Sequence, residues 1–365
     1  MMHVDHAILH AFDVDTGSAY LSDRELDLGE RQVKSYVQRS MRRIVSSAES
    51  RHGVFEGENP LADALESYAG GSSGFIEVSR QLAQVFWEEL RRCDELEQAD
   101  LLLADFTDTQ GLGEHAKEMG EGQVAQAMAC ALAPADVEDL SVRYVGAILL
   151  PRKLAFVHDL GSDGSGIADN EILRQDATLP NPTQKFDTYL LVNLADGSID
   201  FHDRERARGG RALSIIAECI LRCSPQASSR EVVQHVERIV EEVAQAYGTN
   251  AVEAVAQAKH MVASSAEREE SFSPAEVGRA VFEGQPQLRE RYEQATREER
   301  LPEEVPVRRS AARRITKSHR IKTDTGIEIS FPSEYAADAN FIEFTSDAEG
   351  MVSILIKNVT HIENR

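Results

Sequence analysis

The feature that most constrains the fold is a nearly continuous apolar run at residues 99–105, ADLLLAD. Such a strand is typical of the interior of a sheet whose two faces are both covered. Further strands are predicted at residues 6–12, 18–21, 143–150, 154–158, 188–194 and 198–202. Helical spacing of apolar residues predicts helices at residues 30–50, 60–68 and 75–96. Because strands and helices alternate irregularly, residues 1–206 are predicted to form an α+β domain with a mixed sheet.

The following stretch, residues 207–302, is predicted to be a helical segment. Its helices are expected at residues 212–221, 232–247, 251–263, 274–282 and 287–297. Two helix starts have the spacing of a capping box, Ser228 with Glu231 and Ser273 with Glu276. In a capping box the side chains at the two positions bond each other's backbone N–H groups.

A proline-containing break at residues 301–306 precedes the last predicted part, residues 303–365. Strands are predicted there at residues 327–331, 341–344 and 351–357, with a turn at residues 347–350. Three or four strands in such a short stretch are too few to be stable alone. We therefore expect a small antiparallel β unit that packs on another part of the chain or on a second subunit.

The net charge of −23, from 39 basic and 62 acidic residues, excludes a uniformly cationic coat for nucleic acid. Any contact with nucleic acid has to be local. The N-terminus lacks the basic region of a signal peptide, and no apolar run reaches membrane-spanning length, which predicts a cytoplasmic protein without membrane partners. The cysteines are scattered without zinc-ligand spacing and are predicted to be reduced structural thiols. They are Cys93, Cys130, Cys219 and Cys223.

The main departure from this acidic background is the basic segment, defined as residues 307–322, VRRSAARRITKSHRIK. It contains no acidic residue, and its cations are Arg308, Arg309, Arg313, Arg314, Lys317, Arg320 and Lys322. A run of this density is typical of a site for a polyanion, most often nucleic acid. The alternative is a solvated linker that docks on the acidic surface of the chain itself.

A second group of cations, the arginine cluster, lies within residues 201–211, FHDRERARGGR. Its members are Arg204, Arg206, Arg208 and Arg211. We expect them to line a loop at the start of the predicted helix 212–221. The N-terminus of that helix would itself favour a phosphate group.

Metal-dependent chemistry is the weaker interpretation of two acidic groups. Asp13 and Asp15 flank a predicted hairpin turn, where aspartate is common because it tolerates turn geometry. His202 and Asp203, with Glu205, match no metal-site spacing. We therefore expect no metal, no cofactor and no enzymatic activity. Two glycine-rich stretches lie at residues 110–122 and 161–166, and neither has the spacing of a phosphate-binding loop. Both are predicted to be surface loops, and their role is open.

Three stretches occur in an order that resembles a known family. They are AYLSDREL near the N-terminus, SIDFHDRERARGGRAL in the middle and VPVRRSAARRITK followed by TGIEISF near the end. Together they resemble bacterial nucleoid-associated proteins of the NdpA/YejK type over nearly the whole chain. The resemblance implies a cytoplasmic, nucleoid-localised DNA-binding protein without established catalysis and with a homodimeric assembly. It implies no catalytic set, only the cations within the matching stretches.

The leading hypothesis is therefore a protein that binds double-stranded DNA through sequence-independent phosphate contacts. Seven contacts predict a slope of about −6 for log K against log salt. No aromatic residue interleaves the basic segment, which argues against stacking on single strands. A helical register would split the pairs Arg308/Arg309 and Arg313/Arg314 across two faces, whereas an extended arm could follow the phosphate backbone. We expect both cationic groups to lie on one face of the protein. Two alternatives stay open: an adaptor whose acidic body binds a protein partner, and a metal-dependent phosphodiesterase that uses Asp13, Asp15 or His202 with Asp203.

Overall fold

The structure is a computed structural model of the chain. It describes residues 2–109, 141–159, 171–269, 271–307, 309–332, 335, 340–346 and 352–361. Contacts divide the chain into two compact units. Unit 1 comprises Met1–Val45 and Arg51–Gln226, and unit 2 comprises Ser46–Ser50 and Ala227–Arg365. The part of the helical segment from Ala227 onwards thus falls in the same unit as the C-terminal strands, whereas residues 207–226 belong to unit 1. The domain limits inferred from the sequence stay predictions.

Unit 1 is built on a seven-stranded sheet. Its strands are β1 (Met2–Asp13), β2 (Ser18–Tyr20), β3 (Arg51–Gly53), β4 (Ala99–Thr109), β5 (Ser141–Pro151), β8 (Thr188–Asn193) and β9 (Ile199–Asp203). Their order in the sheet is β2-β1-β4-β5-β8-β9-β3. All neighbouring strands are antiparallel. The predicted α+β class is confirmed, and β4 lies inside the sheet as its apolar sequence requires.

Helices cover both faces of this sheet, which explains the continuous apolar run in β4. Leu101 and Leu103 point into a core shared with α3, whereas Leu102 and Ala104 point into a second core shared with α1. The helices of unit 1 are α1 (Arg31–Val45), α2 (Pro60–Ala69), α3 (Phe75–Leu90) and a π-helix (Ile215–Leu221). The helix predicted at 212–221 is wrong at its start, because Arg211–Leu213 is a strand and the π-helix begins only after its cap, Ser214.

Two hairpins of unit 1 stand apart from the seven-stranded sheet. The first pairs β6 (Lys153–Asp159) with β7 (Glu171–Thr178), and we call it the ribbon. The second pairs β10 (Arg206–Arg208) with β11 (Arg211–Leu213). Gly209 and Gly210 form its turn with φ of 61° and 78°. Two successive positive φ values are characteristic of a type I′ hairpin turn, for which glycine is suited.

Unit 2 is a helical core with small β-hairpins. Its helices are α4 (Ser229–Ala246), α5 (Ala251–Glu269), α6 (Pro274–Val281), α7 (Pro286–Glu298) and α8 (Arg309–Thr316). Its strands are β12 (Ser271–Phe272), β13 (Val305–Pro306), β14 (Ser318–Lys322), β15 (Glu328–Pro332), β16 (Ile342–Ser346) and β17 (Val352–Ile356). The capping box at Ser228 is confirmed, whereas Ser273 makes no side-chain cap bond.

The C-terminal strands do not stand alone. Phe331 of β15 and Ile342 of β16 form a small buried cluster with Ala256 of α5. The expectation that these strands pack on another part of the chain is therefore confirmed. The basic segment directly precedes these C-terminal strands. Contacts within unit 2 therefore hold both ends of the segment in place.

Candidate nucleic-acid interface

Half of the basic segment, Arg309–Thr316, is a helix, which settles the choice between a helical register and an extended arm for these residues. In α8, Ala311, Ala312 and Thr316 are buried. The Thr316 hydroxyl donates to the Ala312 carbonyl at 2.8 Å. This apolar side joins the core of unit 2 and contacts α5. Alanines at these positions allow the helix to approach its neighbour closely.

The opposite side of α8 is cationic. At roughly 100° per residue, Arg309, Arg313 and Arg314 fall within an arc of about 140°, and Lys317 directly follows the last residue of the helix. Arg313, Arg314 and Lys317 are exposed, and Arg309 is half-buried. The helical register thus separates the small buried residues from the cations. Arg308 lies outside the described residues.

The cationic surface continues on the hairpin β14–β15. Side chains alternate between the two faces of a strand, so Arg320 and Lys322 share one face. Their cross-strand partners are Ser330 and Glu328. On the other face Ile321 packs beside the buried cluster of the C-terminal strands. Helix and hairpin therefore both expose cations and bury apolar side chains.

Two ion pairs of the basic segment, those of Arg313 and Lys322, are exposed and weak. Arg313 Nε lies 3.3 Å from Glu267 Oε1, with the two side chains 63% and 52% exposed. Lys322 Nζ lies 3.6 Å from Glu328 Oε1. Exposed pairs of this kind contribute only about 0–1 kcal/mol and are screened by salt. Lys317 and Arg320 are exposed and have no ion pair among the described residues. A phosphate group can therefore replace these partners at small cost.

Arg314 differs from its neighbours, because it also has a structural contact. Its guanidinium donates to the backbone carbonyl of Ser46, within unit 2. This contact ties α8 to Ser46, so Arg314 has a structural role although its side chain is exposed.

The arginine cluster of unit 1 has a different character, since each of its four arginines faces a carboxylate. Arg206 is the most buried, with a side chain 9% exposed, and its Nη1 lies 2.8 Å from Oδ1 of Asp203, which is 1% exposed. Its Nη2 donates to Thr188 Oγ1 at 2.9 Å. Asp203 Oδ2 also accepts from Ser214 Oγ and from the Ile216 N–H, both at 2.9 Å. Arg206 thus belongs to a buried network that joins β8, β9, β10 and the π-helix.

Arg208 has a similar internal role. Its Nη2 donates to the Glu89 carbonyl at 2.7 Å and to Glu89 Oε2 at 2.9 Å. Asp94 accepts the N–H groups of the Gly209–Gly210 turn, and these bonds lower the pKa of its carboxyl. The expected loop is therefore wrong: these residues form a hairpin fixed to the end of α3.

The other two arginines of the cluster are more accessible. Arg204 pairs with Glu97 at 2.9 Å, and Arg211 pairs with Glu218 at 2.7 Å, with the Arg211 side chain 76% exposed. The cluster lies in unit 1 and the basic segment lies in unit 2. That the two groups share one face stays a prediction.

The carboxylates considered for metal binding are occupied by protein donors. Asp13 Oδ1 accepts from the Gln98 amide at 3.1 Å and from the N–H groups of Asp15 and Thr16. The Gln98 bond is the largest cause of a lowered pKa at Asp13. Among the described residues, no three potential ligands come together as a metal site. Several features named in the sequence lie outside the described residues: the glycine-rich stretches at 110–122 and 161–166, the turn at 347–350 and Cys130. The other three cysteines are free thiols, namely Cys93, Cys219 and Cys223.

Comparison with known proteins places the chain in a family. None of the described helices is both long and apolar enough to span a bilayer. A search of curated proteins gives no match. The family model described as nucleoid-associated protein YejK, NA37, matches residues 8–363, nearly all of the 365 residues. The match includes both units and all of the basic segment. The chain therefore belongs to the NA37 family of nucleoid-associated proteins.

Proposed function

We propose that this chain is a cytoplasmic, nucleoid-associated protein that binds double-stranded DNA without sequence preference. The observation that carries the proposal is the cationic side of α8 and β14, which is exposed on an otherwise acidic chain. Membership of the NA37 family supports the same function. The contacts are made by the cations of the basic segment, with Arg204 and Arg211 as accessible additions from unit 1.

The physical basis of this binding is the release of counterions. Each phosphate neutralised by lysine or arginine releases condensed cations from the duplex, so affinity falls as salt rises. Guanidinium groups also bond phosphate oxygens in bidentate geometry. The remaining acidic surface repels DNA and limits binding to the cationic side. Arg206 and Arg208 support the hairpin rather than contact DNA, because their donors face buried partners.

Replacing Arg313, Arg314 and Lys317 together by alanine tests this proposal. We expect the slope of log K against log salt to become less steep than that of the wild type by about 2.7, with weaker binding throughout. Fluorescence anisotropy of a labelled duplex between 50 and 300 mM KCl measures both quantities. A matched control replaces Arg289, Arg291 and Arg297 on α7, which removes the same charge from exposed positions of a helix that also carries glutamates. The proposal would be overturned if the wild type, the triple variant and the control all had the same slope while circular dichroism showed each of them to be folded.

The adaptor hypothesis makes the opposite prediction about nucleic acid. The carboxylates that give the chain its charge of −23 would then bind a basic partner protein. Association with nucleoid proteins that survives nuclease treatment favours the adaptor, and its loss favours DNA binding. We propose no catalytic role, since Asp13 and Asp203 already accept several protein hydrogen bonds.

We also propose that the chain forms a homodimer through the ribbon. Within the part of the chain that the structure describes, β6 and β7 pair only with each other. A two-stranded ribbon is marginally stable alone in water. Large apolar side chains are nevertheless exposed on both of its faces, with Phe156 at 64% and Ile172 at 75% on one and Val157 and Leu173 on the other. Such a surface is typical of an interface.

A second copy is the occupant that the charge of the ribbon favours. Its two strands carry two lysine or arginine residues and three carboxylates, so they are nearly neutral. Two chains of net charge −23 repel each other over most of their surfaces. A nearly neutral apolar surface is where they can approach at least cost. The edge strand of one ribbon can also pair antiparallel with the same strand of a second copy, because a twofold axis relates the two strands in this way.

We expect the double variant Phe156→Ser/Ile172→Ser to shift the protein from dimer to monomer. Light scattering after size-exclusion chromatography, over a range of protein concentrations, measures the mass. The control is Tyr20→Ser/Val54→Ser, which removes two apolar side chains of similar exposure away from the ribbon. A monomeric wild type, or a ribbon variant that dimerises like the control, would rule out this interface.

A further inference from the structure

Helix α1 is a third concentration of positive charge, and the proposed function does not use it. Its fifteen residues, RQVKSYVQRSMRRIV, contain five cations and no carboxylate. The cations are Arg31, Lys34, Arg39, Arg42 and Arg43. In a chain with 62 acidic residues, a helix without any is a local exception.

The fold separates the two sides of α1 sharply. Val37, Met41 and Ile44 are fully buried against the sheet of unit 1. Arg31, Arg39 and Arg42 are exposed. At roughly 100° per residue these three arginines fall within about 80° of one another, on the side opposite the core. The helix therefore has a narrow arginine stripe.

The stripe is ionically isolated within unit 1. Arg31, Arg39 and Arg42 make no ion pair and no side-chain hydrogen bond with any residue that the structure describes, and the same holds for Lys34. All four members of the arginine cluster, by contrast, pair with carboxylates. Neighbouring carboxylates thus neutralise the arginine cluster but leave the charge of the stripe uncompensated.

We infer that the arginine stripe of α1 is a second phosphate-binding surface, through which unit 1 contacts duplex DNA. This inference rests on the proposed function and extends it, because the basic segment belongs to unit 2. Arg31 and Arg42 are about 16 Å apart along the helix axis, at 1.5 Å per residue. Phosphates of one DNA strand follow each other at about 3.4 Å along the duplex axis, so the stripe spans several of them. Its arginines have the fork geometry that favours phosphate oxygens.

A membrane surface is the less suitable partner for the same charges. An amphipathic helix binds a bilayer by burying its apolar face among the lipids. The apolar face of α1 is already part of the protein core, formed by side chains such as Val37 and Met41. The stripe can therefore contribute charge to a partner but no apolar surface.

The test replaces Arg31, Arg39 and Arg42 together by glutamine, which is a good helix former. The expected result, with a labelled duplex between 50 and 300 mM KCl, is a salt slope less steep by about 2.7. Replacement of the same residues by lysine should retain the slope, since the charges remain. A control with Arg289, Arg291 and Arg297 changed to glutamine removes equal charge from α7 and should bind like the wild type.

The outcomes separate this inference from the proposed function. If the wild type binds DNA and the change of Arg313, Arg314 and Lys317 weakens it, but the glutamine variant of α1 matches the control, only the inference is wrong. If the wild type shows no salt-dependent binding of duplex, both are wrong. The inference would also be overturned if the glutamine and lysine variants had equal slopes that were both less steep than the slope of the wild type. The effect would then not come from charge.

Discussion

Replacing Arg206 by alanine is expected to lower the free energy of unfolding by about 3 kcal/mol. The side chains of Arg206 and Asp203 are 9% and 1% exposed, so this variant leaves a buried carboxylate without its cation. Thr188 also loses a hydrogen-bond donor. We place the expected loss of stability at the lower end of the range for a broken buried ion pair. The reason is that Ser214 and the Ile216 N–H still donate to Asp203.

Urea unfolding followed by circular dichroism measures this loss. Arg211→Ala is the matched control, since Arg211 belongs to the same cluster but its pair with Glu218 is exposed. We expect the control to change stability by no more than about 1 kcal/mol. If Arg206→Ala left stability unchanged and instead weakened DNA binding, Arg206 would be a DNA contact, as the sequence alone suggested.

Acidification should destabilise unit 1 through His10. Burial, with a smaller contribution from the charge of Arg80, lowers the pKa of His10 to about 4. Its Nδ1 accepts the Ser22 N–H at 3.0 Å, and its Nε2 lies 3.2 Å from Ser79 Oγ. The neutral ring with its proton on Nε2 satisfies both contacts. Protonation of Nδ1 would place two donors face to face.

The sign of the effect follows from the difference in proton binding. Between the ordinary histidine pKa of about 6.5 and the folded value, the unfolded chain binds a proton that the folded chain does not. Stability therefore falls as pH falls through this interval, by about 3 kcal/mol in all, and the contribution is fully present above pH ~6.5.

Comparison with His10→Asn isolates this contribution from the carboxylates that also titrate. Asparagine can accept the Ser22 N–H with its Oδ1, but it has no proton to gain in this range. Urea unfolding at pH 7 and pH 4.5 should show a smaller loss of stability in the variant than in the wild type. Equal losses in both proteins would mean that His10 is not the titrating group.

The fold was largely predictable because its signals are local. The run at residues 99–105 indicates a strand covered on two faces, and β4 has a separate core on each side. The Ser228 capping box is recognisable because both partners lie within one turn. The short β3 was missed, since three residues carry no pattern. The start of the π-helix was missed because its cap depends on Asp203, eleven residues before Ser214.

The candidate site was less predictable, because charge is visible in a sequence and the partners of a charge are not. Arg206 and Arg313 look alike as letters in basic stretches. One is buried against Asp203, and the other is exposed beside Glu267. The arginine stripe of α1 shows the converse. Its cations were recognisable around a helical wheel, but their isolation from all described carboxylates depends on the fold.

The helical form of residues 309–316 also determines the entropic cost of the proposed DNA binding. A disordered basic arm that becomes ordered on DNA loses roughly 1–2 kcal/mol of backbone conformational entropy per residue. In α8, Ala311, Ala312 and Thr316 are already packed in the protein core before any ligand arrives. Association then requires little ordering, so it should bury little new apolar surface and change the heat capacity only slightly. The basic segment is thus a preformed surface for the proposed DNA contact, and its order does not depend on a ligand.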